Sequence, residues 1–269
     1  RRSLWLGLAL IAASWALVLT EQAATGTRLL SAETWVQART FVLRLVGVGE
    51  EQPAFRDPER WRLALELTAQ TLVMSVLAIA FAGVGMLITV VPAARTTADS
   101  TLTLARHRWG WLLYGLIRAL YVFARAVPEL VWAMLIVFIF RPGILPGALA
   151  LGLHNFGIVG KLCAEVIEDL DPRPLQALRS AGAKTGQVLL YGVLPTVLPR
   201  FLTYLLYRWE VIIRTTIVVG SVSAGGLGRE FRLRMSWFHY SDVALLLICY
   251  IALVWLVDLA SAGLRRLAR

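Results

Sequence analysis

The chain has 269 residues, of which 58% are hydrophobic and only 16% charged, with a formal net charge of +10. Soluble domains carry about a quarter charged residues, so this composition excludes an ordinary soluble fold and points to an integral membrane protein. With a mean hydropathy of +0.68, basic flanks beside anionic lipid explain the positive balance better than a nucleic-acid partner does.

A spanning helix needs roughly 20 mainly apolar residues, and six runs qualify. The first, Leu4–Thr20, follows Arg1 and Arg2 and has the look of a signal peptide. It lacks a convincing cleavage site, so a retained span is expected. Residues 24–60 then form the one long loop. Its middle sets Trp35, Val42, Leu45 and Val46 against Arg39 and Arg44, which predicts a helix lying in the membrane interface. The stretch EEQPAFRDPER (50–60), with two prolines and four acids, reads as a surface connector.

Leu63–Val91 and Trp109–Phe140 each exceed one straight crossing. Pro128 must break or kink the second, which predicts a short entry helix, Trp109–Arg125, followed by the true span. Leu145–Val166, Thr196–Ser221 and Val243–Leu264 complete the set. The expected fold class is all-α: a polytopic membrane protein of about six spans. Residues 1–62 would hold the first span and its extracytoplasmic loop, and residues 63–269 the membrane core. Placing both termini in the cytoplasm puts eleven Lys and Arg residues there, among them Arg1, Arg2, Arg106, Arg108 and Arg269, against nine outside, including Arg28. The positive-inside rule favours this arrangement, with the Arg-rich tail its cleanest support.

Ionisable residues at membrane depth cost roughly 2.5–3.5 kcal/mol each on insertion scales and are functional candidates. Three pairs stand at i,i+4 spacing: Arg125 with Glu129, Lys161 with Glu165, and Glu210 with Arg214. That spacing predicts pairing on one helix face, as mutual neutralisation or as part of a path. Arg118 and Arg125, seven apart, share a face and offer an oxyanion the forked donors of guanidinium. A tight Arg cluster would also trap what it admits, so a weakly polar path is the other expectation. His154 and Asn155 interrupt an apolar run, as packing residues or as part of the path. His107 and His239 lie at span ends without metal-ligand spacing. Cys163 and Cys249 sit in apolar runs as small buried hydrophobes. No metal site or catalytic constellation emerges, and an enzyme is not expected. Gly220 and the run Gly225, Gly226, Gly228 suit a tight turn or close helix contact, or a hinge in a gate.

Residues 172–195, PRPLQALRSAGAKTGQVLLYGVLP, are polar and helix-forming between two apolar spans. Asp171 can cap a helix entered through Pro172 and Pro174. Leu175, Leu178 and Ala181 recur at helical spacing while Arg179 and Lys184 face elsewhere. Such a segment offers a soluble partner something to grip.

The segment resembles the EAA loop of ABC importer permeases, whose pattern is Glu-Ala-Ala, three residues, Gly, nine residues, Ile, one residue, Leu-Pro. Ala177, Gly182, Leu194 and Pro195 fall on that pattern, whereas Gln176, Leu178 and Gly192 depart from its Glu, second Ala and Ile. RAVPELVWAMLIVF (125–138), ALALGLHNFGIVGKLCAEVIED (148–169) and WEVIIRTTIVVGSVSAGGLG (209–228) are similar to runs of the phosphonate-type permeases of that superfamily. Ser221 and Ser223 depart from its pattern near the final glycines.

The resemblance implies the permease subunit of a type I ABC importer in the bacterial plasma membrane, with the MetI-like fold. It implies a homodimer with two cytoplasmic ATPases and one extracytoplasmic binding protein, moving phosphonate or phosphite inward by alternating access. Gln176, Ala177, Arg179, Gly182, Lys184, Leu194 and Pro195 would then couple to the ATPase. Arg118, Arg125, Glu129, His154, Glu210 and Arg214 would line the substrate path, with Pro128, Gly225, Gly226 and Gly228 at the gate. The chain contains no GxxxxGK[ST] phosphate loop, so ATP and Mg belong to the partner and no cofactor to this chain. A secondary transporter or channel working through intramembrane charge pairs is the alternative.

Overall fold

The structure, a computed structural model, describes residues 2–25, 32–50, 52–98 and 108–267. Arg1, Arg28, Arg106, His107 and Arg269 lie outside the described residues, as do the side chains of Arg2, Arg108 and Ser223. The chain divides into two compact units, Arg1–Pro53 and Ala54–Arg269.

The first unit holds α1 (Arg2–Thr25) and α2 (Ala32–Leu45). The hydropathic stretch of α1, Leu4–Glu21, is long and apolar enough to cross a membrane. The helix predicted within the long loop is α2, with Trp35, Val36 and Val42 exposed on its surface.

In the second unit, a 3-10 turn (Ala54–Arg56) leads into α3 (Pro58–Ala93), capped at its N-terminus by Asp57 Oδ1 accepting from Glu59 N–H at 2.9 Å. The 36 residues of α3 extend about 54 Å at 1.5 Å per residue, well beyond one bilayer core. The predicted surface connector is corrected here. Ala54 is buried and donates its N–H to Ser241 Oγ at 3.2 Å, and Arg60 pairs with Asp242 at 3.3 Å. These bonds fasten the entry of α3 to the start of the last helix.

The short α4 (Arg95–Ala98) is followed by α5 (Arg108–Ala126) and α6 (Glu129–Ile139), which meet at 94°. The expected true span after Pro128 is also corrected, because α6 has only 11 residues. At about 16 Å it cannot cross a bilayer alone. Pro128 marks where the helix ends. Trp132 Nε1 donates to the Ala124 carbonyl at 3.0 Å and His154 Nδ1 bonds the Val127 carbonyl at 2.9 Å, so two carbonyls at the break find side-chain partners.

The central helix is α7 (Ile144–Glu168), packed against α3, α5, α6 and α10. Its buried residues are mostly small, including Gly152, Gly157, Gly160 and Ala164. Small residues let helix backbones approach where lipid supplies no hydrophobic drive between helices. At Gly157 the contact is with backbone: a Cβ there would lie 2.6 Å from the Tyr121 carbonyl oxygen and 2.8 Å from Arg125 N.

After α7 come α8 (Pro172–Ser180), α9 (Thr185–Gln187) and a π-helical stretch (Val188–Val193) that runs into α10 (Leu194–Val219). A second π-helical stretch (Gly220–Ala224) leads to α11 (Gly226–Ser236) and α12 (Tyr240–Leu267). Five helical stretches are long and apolar enough to cross a membrane, and six if the bent pair counts as one.

Candidate coupling segment and intramembrane polar clusters

Asp171 Oδ1 accepts from Arg173 N–H at 3.0 Å and starts α8 as its sequence suggests. Leu175 is the buried residue of this helix and joins the cluster built from Ile167 of α7 and Phe201 of α10. Gln176, Ala177 and Leu178 stay exposed. One apolar anchor thus ties a polar helix to the spans on either side of it.

Gly182 ends the helix with φ of +90°. Its N–H donates to the Arg179 carbonyl at 2.8 Å, and Ala183 N–H reaches back to the Leu178 carbonyl at 3.1 Å. This is a C-terminal cap that needs a left-handed residue, and glycine adopts it without strain. Lys184 N–H then donates to Gln187 Oε1 at 2.8 Å to start α9, and Pro195 sits in the first turn of α10. The seven residues proposed from sequence therefore occupy one continuous, largely exposed stretch. Arg179 is half-buried, and its Nε and Nη2 are buried without a hydrogen-bond partner.

Two departures from the EAA pattern, Leu178 and Gly192, meet in space. A Cβ on Gly192 would lie 3.0 Å from Leu178 Cδ1 and 2.8 Å from Leu175 Cδ2. Leu175 and Leu178 together fill the space that a side chain at 192 would take. Gly192→Ile alone should therefore destabilise the protein by about 1–3 kcal/mol through overpacking. Adding Leu178→Ala should restore only part of that, because Leu175 stays in place, and a double-mutant thermal-unfolding cycle would read the restored part as coupling between the sites.

Glu168 closes α7 just before this segment. It accepts from Arg95 N–H at 2.7 Å and from Arg118 Nη2, while Arg118 Nε donates to the Ala93 carbonyl at 2.9 Å. Arg118 shares α5 with Arg125, but its guanidinium joins α3, α5 and α7 at the end of the bundle nearest α8.

The polar cluster beside the α5–α6 break is built differently. Glu129 opens α6 and sits 3.2 Å from His154 Nε2, whose Nδ1 already holds Val127. The expected Arg125–Glu129 pair does not form, because the 94° break removes the i,i+4 relation. The next residue of α7, Asn155, takes Arg208 of α10 on its Oδ1, with Nε at 2.9 Å, and its own Nδ2 donates to the Leu151 carbonyl at 2.7 Å. Arg208 escaped the sequence reading. Its place next to Trp209 and Glu210 inside an apolar span was the signal available.

The expected Glu210–Arg214 pair is also corrected. Both residues pair across to α12 instead, Glu210 with Arg265 and Arg214 with Asp258 at 2.8 Å. An adjacent antiparallel helix offers carboxylates and guanidiniums in better reach than one turn of the same helix. Lys161 and Glu165 do pair along α7, at 3.4 Å.

The glycine run forms a tight turn. Gly225 and Gly226 have φ of +102° and +68°, and Leu227 N–H donates to Thr71 Oγ1 at 2.9 Å. A Cβ on Gly226 would lie 2.6 Å from that hydroxyl, and Gly228 packs on backbone atoms of Ile217 and Ser221.

Residues 101–268 match the family described as binding-protein-dependent transport system inner membrane component. The chain is 39% identical over 238 residues to the phosphite transport system permease protein PtxC of Stutzerimonas stutzeri, a match covering 88% of this chain and 82% of that protein. It is 33% identical over 216 residues to the phosphate-import permease protein PhnE of Mycolicibacterium smegmatis, covering 80% of this chain and 38% of that one. Among solved structures, an inward-facing MetNI methionine ABC transporter aligns with a TM-score of 0.68 at 18% identity, over 79% of this chain and 99% of that chain. That likeness concerns the fold, an all-α polytopic permease of the MetI type.

Proposed function

The chain belongs to the family of binding-protein-dependent transport system inner membrane components, and on that premise we propose that it imports phosphite, phosphonate or a related phosphorus oxyanion. The observation that carries the substrate class is the 39% identity to a phosphite permease across most of both chains.

In this reading two copies of the chain form the pathway, with both termini in the cytoplasm. Two ATPase subunits dock on the segment 172–195, and an extracytoplasmic binding protein delivers the anion. ATP and Mg are used by the ATPase. Closure of the ATPase pair draws the two α8 helices together and opens the pathway outward, and hydrolysis reverses the change. The exposed Gln176 and Ala177, the buried anchor Leu175 and the glycine-ended cap support this use of α8. The partnerless buried donors of Arg179 fit a segment that finds further acceptors when its partner is bound, since such donors are costly to leave unmet.

The path is read at the α5–α6 break, with Arg125 in the last turn of α5 and Glu129 beside His154. Arg118, Glu210 and Arg214 are held in ion pairs and serve in this reading to lock helices. Pro128 and the turn at Gly225, Gly226 and Gly228 bound the moving parts.

Co-purification tests the reading. A stoichiometric ATPase should accompany the permease, and uptake in vesicles should require ATP. Uptake driven by a proton gradient without ATP would instead support a secondary transporter.

A further inference from the structure

We propose that Arg208, braced by Asn155, contacts the transported oxyanion inside the membrane; this rests on the phosphorus-oxyanion reading above. Charge balance in the spans draws attention to the residue. Arg118 is matched by Glu168, Lys161 by Glu165, Arg265 by Glu210 and Arg214 by Asp258. At the α5–α6 break the balance fails. Arg125 and Arg208 have no ion-pair partner among the described residues, and the nearby acid Glu129, whose charge also acts on Arg208, lies 3.2 Å from His154 Nε2.

His154 Nδ1 lies 2.9 Å from a carbonyl oxygen, which can only accept, so that nitrogen donates to it. Nε2 then faces the Glu129 carboxylate at 3.2 Å.

Arg208 is also oriented in advance. Nε and Nη2 share the single acceptor Asn155 Oδ1, and the amide is fixed by its bond to Leu151. Nη1 has no protein acceptor among the described residues. A guanidinium held in this way has already lost the freedom that binding an anion would cost it. One braced arginine with spare donors attracts an oxyanion without surrounding it, which answers the objection that a tight cluster would trap its cargo. At the α10–α12 seam, by contrast, Arg265 and Arg214 are each paired with an acid.

The test uses the full complex of permease, ATPase and binding protein in proteoliposomes, with phosphite uptake as the readout. Arg208→Gln can still donate to Asn155 but has no charge; Arg208→Lys keeps the charge without the fork. An anion contact predicts wild type above Lys and Lys above Gln, with Gln reduced by about tenfold or more, the scale of one charged hydrogen-bonding contact. A purely structural brace predicts Gln at or above Lys, and that order would overturn the proposal. Should neither variant assemble, phenylglyoxal footprinting of the wild-type complex decides: phosphite must protect Arg208 from modification, and unchanged labelling sinks the idea. Absence of wild-type phosphite uptake would count against the functional reading itself, a result distinct from both.

Discussion

Gly182→Glu should uncouple the transporter: substrate uptake falls by about tenfold or more while the partner ATPase still hydrolyses ATP without responding to the loaded binding protein. The residue has φ of +90° and nothing within 4 Å of a Cβ position, so the effect is conformational and not steric. A non-glycine residue pays roughly 1–2 kcal/mol to hold a left-handed backbone. The cap in which Gly182 and Ala183 donate to the Arg179 and Leu178 carbonyls would then open or re-form elsewhere. The last turn of α8 would fray, and the added acid would place negative charge where the helix dipole is already negative. About 1.4 kcal/mol is a factor of ten in an equilibrium, so a misformed helix end is enough to lose coupling. ATPase and uptake assays on one reconstituted preparation would measure this, and tightly coupled uptake in the variant would refute the role given to α8.

Gly157→Leu should have a larger effect, on folding itself. The contacts that a Cβ would meet are the Tyr121 carbonyl oxygen at 2.6 Å, Arg125 N at 2.8 Å and Ala124 Cβ at 3.0 Å. Two of these are backbone, so no rotamer change relieves the clash and α5 must move away from α7. Overpacking that forces backbone shifts costs about 3 kcal/mol or more, roughly 10 °C in unfolding midpoint for a chain of this size. Moving α5 would also disturb the Ala124 and Val127 carbonyls that Trp132 and His154 satisfy. Thermal unfolding of the purified variant in detergent would report the loss, and a midpoint within 2 °C of wild type, roughly the effect of 1 kcal/mol or less, would show the helices less tightly apposed than described.

The sequence carries the spans because an apolar run of bilayer length has few other uses in water. Leu145–Val166 and Val243–Leu264 were each found within a few residues of the helices Ile144–Glu168 and Tyr240–Leu267. Pro128 likewise told where α5 must stop. It does not give the angle, at which Trp132 of α6 and His154 of α7 bond the Ala124 and Val127 carbonyls. The ion pairs show the same limit. Spacing along one helix predicts Lys161–Glu165 correctly, but it is blind to Asp258 and Arg265, which become neighbours of α10 only through the packing of α12. Gly192 is not legible from its own position either: it makes sense only once Leu175 and Leu178 are seen to occupy the space above it.

The most direct measurement of the central claim is ATP-dependent uptake of labelled phosphite by proteoliposomes holding this chain with its ATPase and binding protein. Accumulation that requires both partners and ATP is the predicted result. Phosphite uptake that proceeds without ATP, or a fully assembled complex that hydrolyses ATP yet carries no phosphorus oxyanion, would contradict it.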